Sequence, residues 1–301
     1  MYALSMIFAI ILTPLMILIA KKANIVDNPD ENLKTHKKSI PYLGGVAVLF
    51  SIIPFFIFNI SYILPAVLIT FLGLWDDIKN VNSKVRLILE FILMGITIYM
   101  IYGYIHIVYF FLLMITGVAI INSVNMIDGM DGVCSGITAI ALTFFAILGD
   151  NSLYYIVFAL IGFLIYNKYP AKIFLGDAGS YLLGFTLFYS ITSLTQKHGN
   201  GGYFISLIIG GVFATDFSFA ILRRILNKKS PFSGDREHIY DKLNRRFNSS
   251  VPLTVFVLYL ISITYGLISL FSWNFPIYGA IISIVTFLIL GKILNLYGYD
   301  K

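Results

Sequence analysis

Two adjacent carboxylates, Asp76 and Asp77 in FLGLWDDIKN, repel each other unless a positive group stands between or near them. Such a pair suits a divalent cation with a neighbouring base, because magnesium prefers hard oxygen ligands and takes one or two carboxylates alongside phosphate oxygens. In NSVNMIDGMDG, Asn122, Asn125, Asp128 and Asp131 recur at every third position, broken by Gly129 and Gly132. Helical spacing of three puts such side chains on one face. The plain alternatives are a solvated pair at a helix end and an ordinary Asn/Asp/Gly turn. A third stretch, KIFLGDAGS, sets Asp177 between Gly176 and Ala178, with Ser180 available to cap the helix that follows. Its glycines let the backbone approach a ligand, and Phe174 offers a flat ring for a planar base. For Asp177 the plain alternative is a helix cap.

The fourth stretch, RRILNKKSPFSGDREHIYDKLNRR, is basic. Within its GDREH, Arg236 can grip phosphate oxygens as a planar fork and His238 adds a neutral or charged donor. Arg223, Arg224, Arg245 and Arg246 read instead as ordinary positive loop charges. Glu90 and Asp216 lie inside apolar runs, where a carboxyl is expensive enough to suggest a function; each either faces a working cavity or pairs within the bundle. The early THKKSIPYLGG, with His36, Lys37, Lys38 and a turn from Pro41 to Gly45, reads as a lid or wall. A single cysteine, Cys134, excludes an intrachain disulfide and receives no role.

The elements that position these groups are set by composition. Of 301 residues, 58% are hydrophobic and 12% charged, and the mean hydropathy is +0.87. That balance excludes an ordinary soluble domain and makes the bilayer the natural solvent. The apolar residues come in repeated blocks close to the ~20 needed to cross the hydrocarbon core as a helix. They fall near 1–20, 43–58, 60–75, 85–102, 105–122, 134–149, 152–168, 180–195, 203–222, 251–271 and 276–294. The expectation is an all-α, polytopic bundle of about 11 spans, with 10 as the alternative where short runs are ambiguous, forming one integral-membrane domain over 1–301. The first block has no basic residue ahead of it and is read as a retained span rather than a signal peptide.

Every Lys and Arg except Lys197 then falls on one side of the membrane. By the positive-inside rule that side is cytoplasmic, with the N-terminus outside and the C-terminus inside. All four chemical stretches open on the same side. The net charge of +6 is accounted for by these loops and calls for no nucleic-acid partner.

Together these stretches resemble the polyprenyl-phosphate N-acetylhexosamine-1-phosphate transferases of glycosyltransferase family 4, the group of the WecA-like and MraY-like enzymes. The resemblance rests on five motifs in order over nearly the whole chain: Pro41-x-x-Gly44-Gly45, Asp76-Asp77, Asn122-x-x-Asn125-x-x-Asp128-Gly129-x-Asp131-Gly132, Phe174-x-Gly176-Asp177-x-Gly179-Ser180, and Asp235-Arg236-x-His238. It implies a magnesium site, with manganese as a substitute, made by Asp177 with Asp77 and with Asn125 close by. It also implies that Asp76 assists an attacking carrier phosphate. Phe174, Asp128 and Asp131 match positions that hold uridine; Asn122 and Asn125 join the nucleotide-sugar set. Arg236 and His238 match positions facing the diphosphate or sugar, and Lys84 and Arg86 are the cations expected for the carrier phosphate.

The implied activity is transfer of a sugar 1-phosphate, GlcNAc-1-phosphate by preference, from a UDP-sugar to a polyprenyl phosphate in the plasma membrane, releasing UMP. This would be a first step of cell-surface glycan synthesis; a homodimer is compatible with it. The chain departs from the pattern after Arg236-x-His238, where Ile239, Tyr240 and Asp241 stand instead of further histidines, and at Asn80, where an acid is frequent. The first departure argues against the alternative substrate, phospho-MurNAc-pentapeptide, whose branch carries consecutive histidines there. A transporter or flippase is the rival of a different class. It would scatter polar residues through several spans rather than gather acids at one face.

Overall fold

A computed structural model describes residues 1–28, 39–231 and 233–299. The His36, Lys37 and Lys38 segment lies outside the described residues. The architecture is all-helical, with twelve helices and one small ribbon among those residues. In chain order they are α1 (Ala3–Lys22), β1 (Val26–Asp27), β2 (Ile40–Pro41), α2 (Gly44–Phe56), α3 (Ile60–Lys79), α4 (Ser83–Tyr102) and α5 (Ile107–Ile127). There follow α6 (Val133–Leu148), α7 (Leu153–Asn167), α8 (Gly176–Ile209), α9 (Gly211–Leu226), α10 (Ile239–Arg246), α11 (Val251–Phe271) and α12 (Pro276–Ile293). β1 and β2 pair antiparallel, Val26 opposite Pro41.

The helix ends follow local chemistry. The Asn59 side chain accepts from the N–H of Tyr62 at the start of α3, Asn82 from Lys84 at the start of α4, and His106 from Val108 at the start of α5. Each satisfies an N–H that a first turn otherwise leaves unpaired. Asn80, left-handed at φ 49°, stops α3 three residues after Asp77.

Large apolar side chains point outward along α1, α4, α11 and α12, for example Ile11, Leu18, Ile88, Ile92, Leu260, Ile281 and Leu288. That is the inverse of a soluble fold and suits lipid. Six helices are long and apolar enough to cross a membrane: α1, α3, α4, α5, α11 and α12. The bent pair α8 and α9 makes a seventh if counted as one span. The apolar helices α2, α6 and α7 are shorter, at 13, 16 and 15 residues.

The expected eighth and ninth spans are corrected in one respect. The run over 203–222 is not a single helix: α8 continues from the eighth run through a kink at Gly199 (φ 59°, ψ −143°) to Ile209, and at Gly210 the chain turns by 72° into α9. Apolarity alone carries no signal for this, because glycine breaks a helix without making it polar.

The centre of the bundle is α8, whose residues from Ala178 to Thr192 are all buried. It packs on α2, α3, α5, α6, α11 and α12. A helix apolar on every side has to be interior. At its N-terminus small residues bring backbones together: a Cβ on Gly45 of α2 would overlap the backbone of Gly179, and one on Gly176 would meet the Tyr42 carbonyl at 2.5 Å. Gly176 also takes φ +73°, a conformation that side chains disfavour.

Candidate active site

One cavity of about 1020 Å³ opens at the end of the bundle where α3 and α5 finish and α8 begins. Asp76 and Asp77 reach it from α3, Asn125 from α5, Asp128 and Asp131 from the following loop, Phe174 and Asp177 from the start of α8, and Arg236 and Asp241 from the last loop and α10. Four motifs far apart in the chain thus meet in one hollow. At the opposite end a second hollow of about 10 Å³, between Phe145, Asp150 and Lys197, has room for no more than a water.

Both oxygens of Asp77 are directed at the start of α8: Oδ1 accepts from the Asp177 N–H at 2.9 Å and Oδ2 from the Ala178 N–H at 3.1 Å. A carboxylate from one helix therefore caps another, where free N–H groups and the helix dipole favour negative charge. Asp177 is held differently, its Oδ1 accepting from the Asn125 amide at 2.6 Å; that amide also reaches Ser180 Oγ at 3.1 Å. Among the described residues no donor reaches Asp177 Oδ2. Asp76, only 6% exposed, accepts from Tyr181 O–H at 2.6 Å, from the Val81 N–H at 2.8 Å and from Arg86 at 3.3 Å.

The cavity is acidic. Burial, and then the Asp177, Asp77 and Asp131 carboxylates, push the Asp128 carboxyl well above its usual range. Among the described residues lining the cavity, Arg236 is the one Lys or Arg, and its nearest carboxylate, Asp241, lies 3.8 Å away. No three His, Cys or acidic side chains among the described residues close around one point. That donor set does not fit a protein cage of the zinc type. It does fit magnesium, which keeps waters and takes substrate phosphates beside one or two carboxylates. Asp177, with an unpartnered oxygen, and Asp77 with Asn125 next to it, are the residues present for such an ion.

The remaining expected residues divide between the cavity and its surroundings. Phe174 lines the cavity, while its backbone N–H bonds the Pro41 carbonyl and joins the ribbon to α8. Asp131 lines it too, and its Oδ2 accepts from the Ala171 N–H at 2.9 Å. Asn122 lies behind the wall, donating to Glu90 at 2.6 Å and accepting from Arg86 at 3.1 Å. Arg86 is shared among Asp76, Glu90 and Asn122, and Lys84 is exposed beyond the lining.

His238 is 5% exposed and does not line the cavity. Its Nδ1 sits 2.7 Å from Asp216, whose other oxygen accepts the Ile239 N–H at 2.7 Å. Asp216 therefore fixes the start of α10 rather than facing the cavity. Arg223 and Arg224, read from sequence as loop charges, are 1% and 3% exposed and both grip Asp235, at 2.8 and 3.2 Å. A buried charge needs a partner, and Asp235, just before Arg236, is theirs. Burial opposes ionisation of Asp235, but Arg223 and then Arg224 hold its pKa below the usual value. These contacts anchor the loop that carries Arg236 to α9 and α10.

Glu90 and Asp216, the two acids inside apolar runs, are thus both partnered within the bundle. They trace no polar path through the membrane, as a transporter would require.

The buried His238 makes stability depend on pH. Burial alone would lower its pKa; the Asp216 carboxylate outweighs this and raises it above the ordinary 6.5. A raised folded-state pKa gives stability that is complete below the unfolded value and is lost as pH rises through the folded one. The melting temperature in detergent should therefore fall from about pH 6 upward, and less steeply in His238→Gln. Parallel curves would remove this pair as the source.

Sequence reading passed over Tyr42, Asn167, Tyr181 and Asn244. Tyr42, Asn167 and Asn244 line the cavity, and Tyr181 holds Asp76. Only Tyr181 had a signal, standing four residues after Asp177 and so one turn along the same helix face.

Comparison with known proteins gives the family. Residues 59–195, which include the aspartate pair, the Asn/Asp loop and Asp177, match the model of glycosyl transferase family 4. A probable undecaprenyl-phosphate N-acetylglucosaminyl 1-phosphate transferase of Bacillus subtilis (strain 168) is 32% identical over 88% of this chain and 82% of its own. An undecaprenyl-phosphate alpha-N-acetylglucosaminyl 1-phosphate transferase of Thermotoga maritima is 33% identical over 83% of this chain and 84% of its own. A phospho-N-acetylmuramoyl-pentapeptide-transferase of Bacillus subtilis (strain 168) is 32% identical over 73% of this chain and 80% of its own. Similarity of this extent makes the chain a member of the polyprenyl-phosphate N-acetylhexosamine-1-phosphate transferases of glycosyl transferase family 4.

Proposed function

We propose that this protein transfers GlcNAc-1-phosphate from UDP-GlcNAc to a polyprenyl phosphate, releasing UMP, with magnesium at Asp177 and Asp77. The observation that carries the reading is an acidic cavity, large enough for a nucleotide sugar, at the end of a membrane bundle. Its relatives with N-acetylglucosaminyl 1-phosphate transferase names support the choice of sugar.

Both substrates are anions, and a cavity lined by so many carboxylates would repel them unless charge is supplied. A magnesium ion held by Asp177 and Asp77 would supply that positive charge. Arg236, 41% exposed on the cavity wall, contributes a fork for phosphate oxygens. Phe174 presents its ring to a base, and Asn125 orients the Asp177 carboxylate. In the reaction a carrier phosphate oxygen forms a bond to the sugar-bearing phosphorus while the bond from that phosphorus to the UMP oxygen breaks. One phosphate anhydride replaces another, so the step is reversible; the protein contributes positioning and electrostatic stabilisation. The distribution of Lys and Arg supports a cytoplasmic site in the plasma membrane.

The test is UMP release and lipid product from purified protein with polyprenyl phosphate, magnesium and a panel of UDP-sugars. Product from UDP-GlcNAc alone is expected, lost on chelation and restored by magnesium. Product from UDP-MurNAc-pentapeptide alone would overturn the sugar and keep the chemistry. Release that survives chelation would overturn the metal.

A further inference from the structure

Behind the cavity wall a polar network crosses four helices where each is otherwise apolar. Glu90 of α4 is 0% exposed, and a carboxyl at membrane depth is retained only against strong partners. Its Oε1 lies 3.5 Å from Arg86 Nε, one turn earlier on the same helix, and its Oε2 accepts from Asn122 of α5 at 2.6 Å. Asn122 in turn accepts from Arg86 at 3.1 Å, so the guanidinium is held on two sides. The remaining part of the fork reaches Asp76 of α3 at 3.3 Å. Tyr181 of α8, 1% exposed, meets the same Asp76 oxygen with its hydroxyl at 2.6 Å, and Arg86 lies over its ring at 5.7 Å.

We propose that Tyr181 and Glu90 are positioning residues for Asp76, Tyr181 directly and Glu90 at one remove by fixing Arg86. A carboxylate has about four acceptor positions. Three at Asp76 are occupied by Tyr181, Val81 and Arg86, and one is left for the cavity that Asp76 lines. The arrangement holds the Asp76 carboxyl with one acceptor position aimed at the cavity, where it can accept the O–H of a carrier phosphate and so orient it. Arg86 is already matched by two carboxylates and so serves the clamp. This inference rests on the transferase reading above.

Tyr181→Phe removes only the hydroxyl. A misaligned group costs on the order of 10²-fold in rate, so kcat is expected to fall by about that factor with KM for both substrates unchanged. The control is Tyr62→Phe, which removes a buried hydroxyl bonded to Thr186 at 3.0 Å between the same two helices, α3 and α8, outside the cavity. It should leave kcat unchanged; equal losses in the two variants would make Tyr181 a packing residue and overturn the proposal. Glu90→Gln should also lower kcat, and the double variant should lose less than the product of the single losses, because both act on one carboxylate. Multiplicative losses, or intact kcat in either variant, would sink it.

A readout independent of activity is the melting temperature in detergent. Tyr181→Phe should lower it in the wild-type background and leave it nearly unchanged in Asp76→Ala, which has no side-chain acceptor for the hydroxyl; an equal drop in both would refute the contact. Folded wild-type protein that releases no UMP would overturn the transferase reading, and the melting comparison would then decide the clamp alone.

Discussion

Replacing Asp177 by Asn is expected to abolish exchange of labelled UMP into UDP-GlcNAc, by about 10³-fold or more, while the protein melts as before. The substitution is nearly isosteric, and the new amide oxygen can still accept the Asn125 hydrogen bond that Oδ1 accepts now at 2.6 Å. Asp77 keeps its two bonds to the Asp177 and Ala178 N–H groups, which belong to the backbone. What is lost is one negative charge, at the oxygen no protein donor reaches. Magnesium prefers charged oxygen ligands, so on the proposed reading that loss would fall on the metal rather than on the fold. Exchange retained within tenfold would remove Asp177 from the metal site. A large fall in melting temperature would show instead that its charge holds α8.

Gly45→Val should have the largest effect on folding. The added carbons would overlap the Gly179 backbone, which cannot turn aside as a side chain does. Overpacking that shifts backbone costs roughly 3 kcal/mol or more. Two backbone bonds would also be strained, Gly44 N–H to Phe174 at 3.1 Å and Gly45 N–H to Leu175 at 2.8 Å. Little monodisperse protein is expected by size exclusion in detergent. Gly95→Ala is the comparison: its Cβ would lie 3.5 Å from Phe110, an ordinary contact, and it should be tolerated. Equal yields of the two variants would show that α2 and α8 do not meet so closely.

Much of the site was legible because its residues are polar in a chain that is mostly not. Asp76, Asp77, Asn125, Asp128, Asp131, Asp177 and Arg236 all line the cavity, and the apolar Phe174 joins them. His238 and Asn122 carry the same kind of side chain, yet one faces Asp216 and the other Glu90. Direction within a bundle is not written in residue type. Arg223 and Arg224 go the opposite way, since they read as ordinary positive loop charges and are instead buried against Asp235.

The sequence by itself determined that the chain is a helical membrane protein with its chemistry at one face, because apolar run length and the placement of Lys and Arg are local quantities that the bilayer reads directly. It also indicated which motifs meet, since four polar clusters in an otherwise apolar chain have few places to go, and they line one cavity. Only the tertiary structure decided which carboxylates are committed and which remain open. Asp77 caps α8, Asp76 is held by Tyr181 and Arg86, and one Asp177 oxygen has no donor among the described residues. The bend at Gly210 and the pairing of His238 with Asp216 were decided there as well. The reason is that hydrogen bonds between helices depend on angles and separations accurate to less than an ångström, set by small-residue packing such as that at Gly45, and no local pattern encodes them.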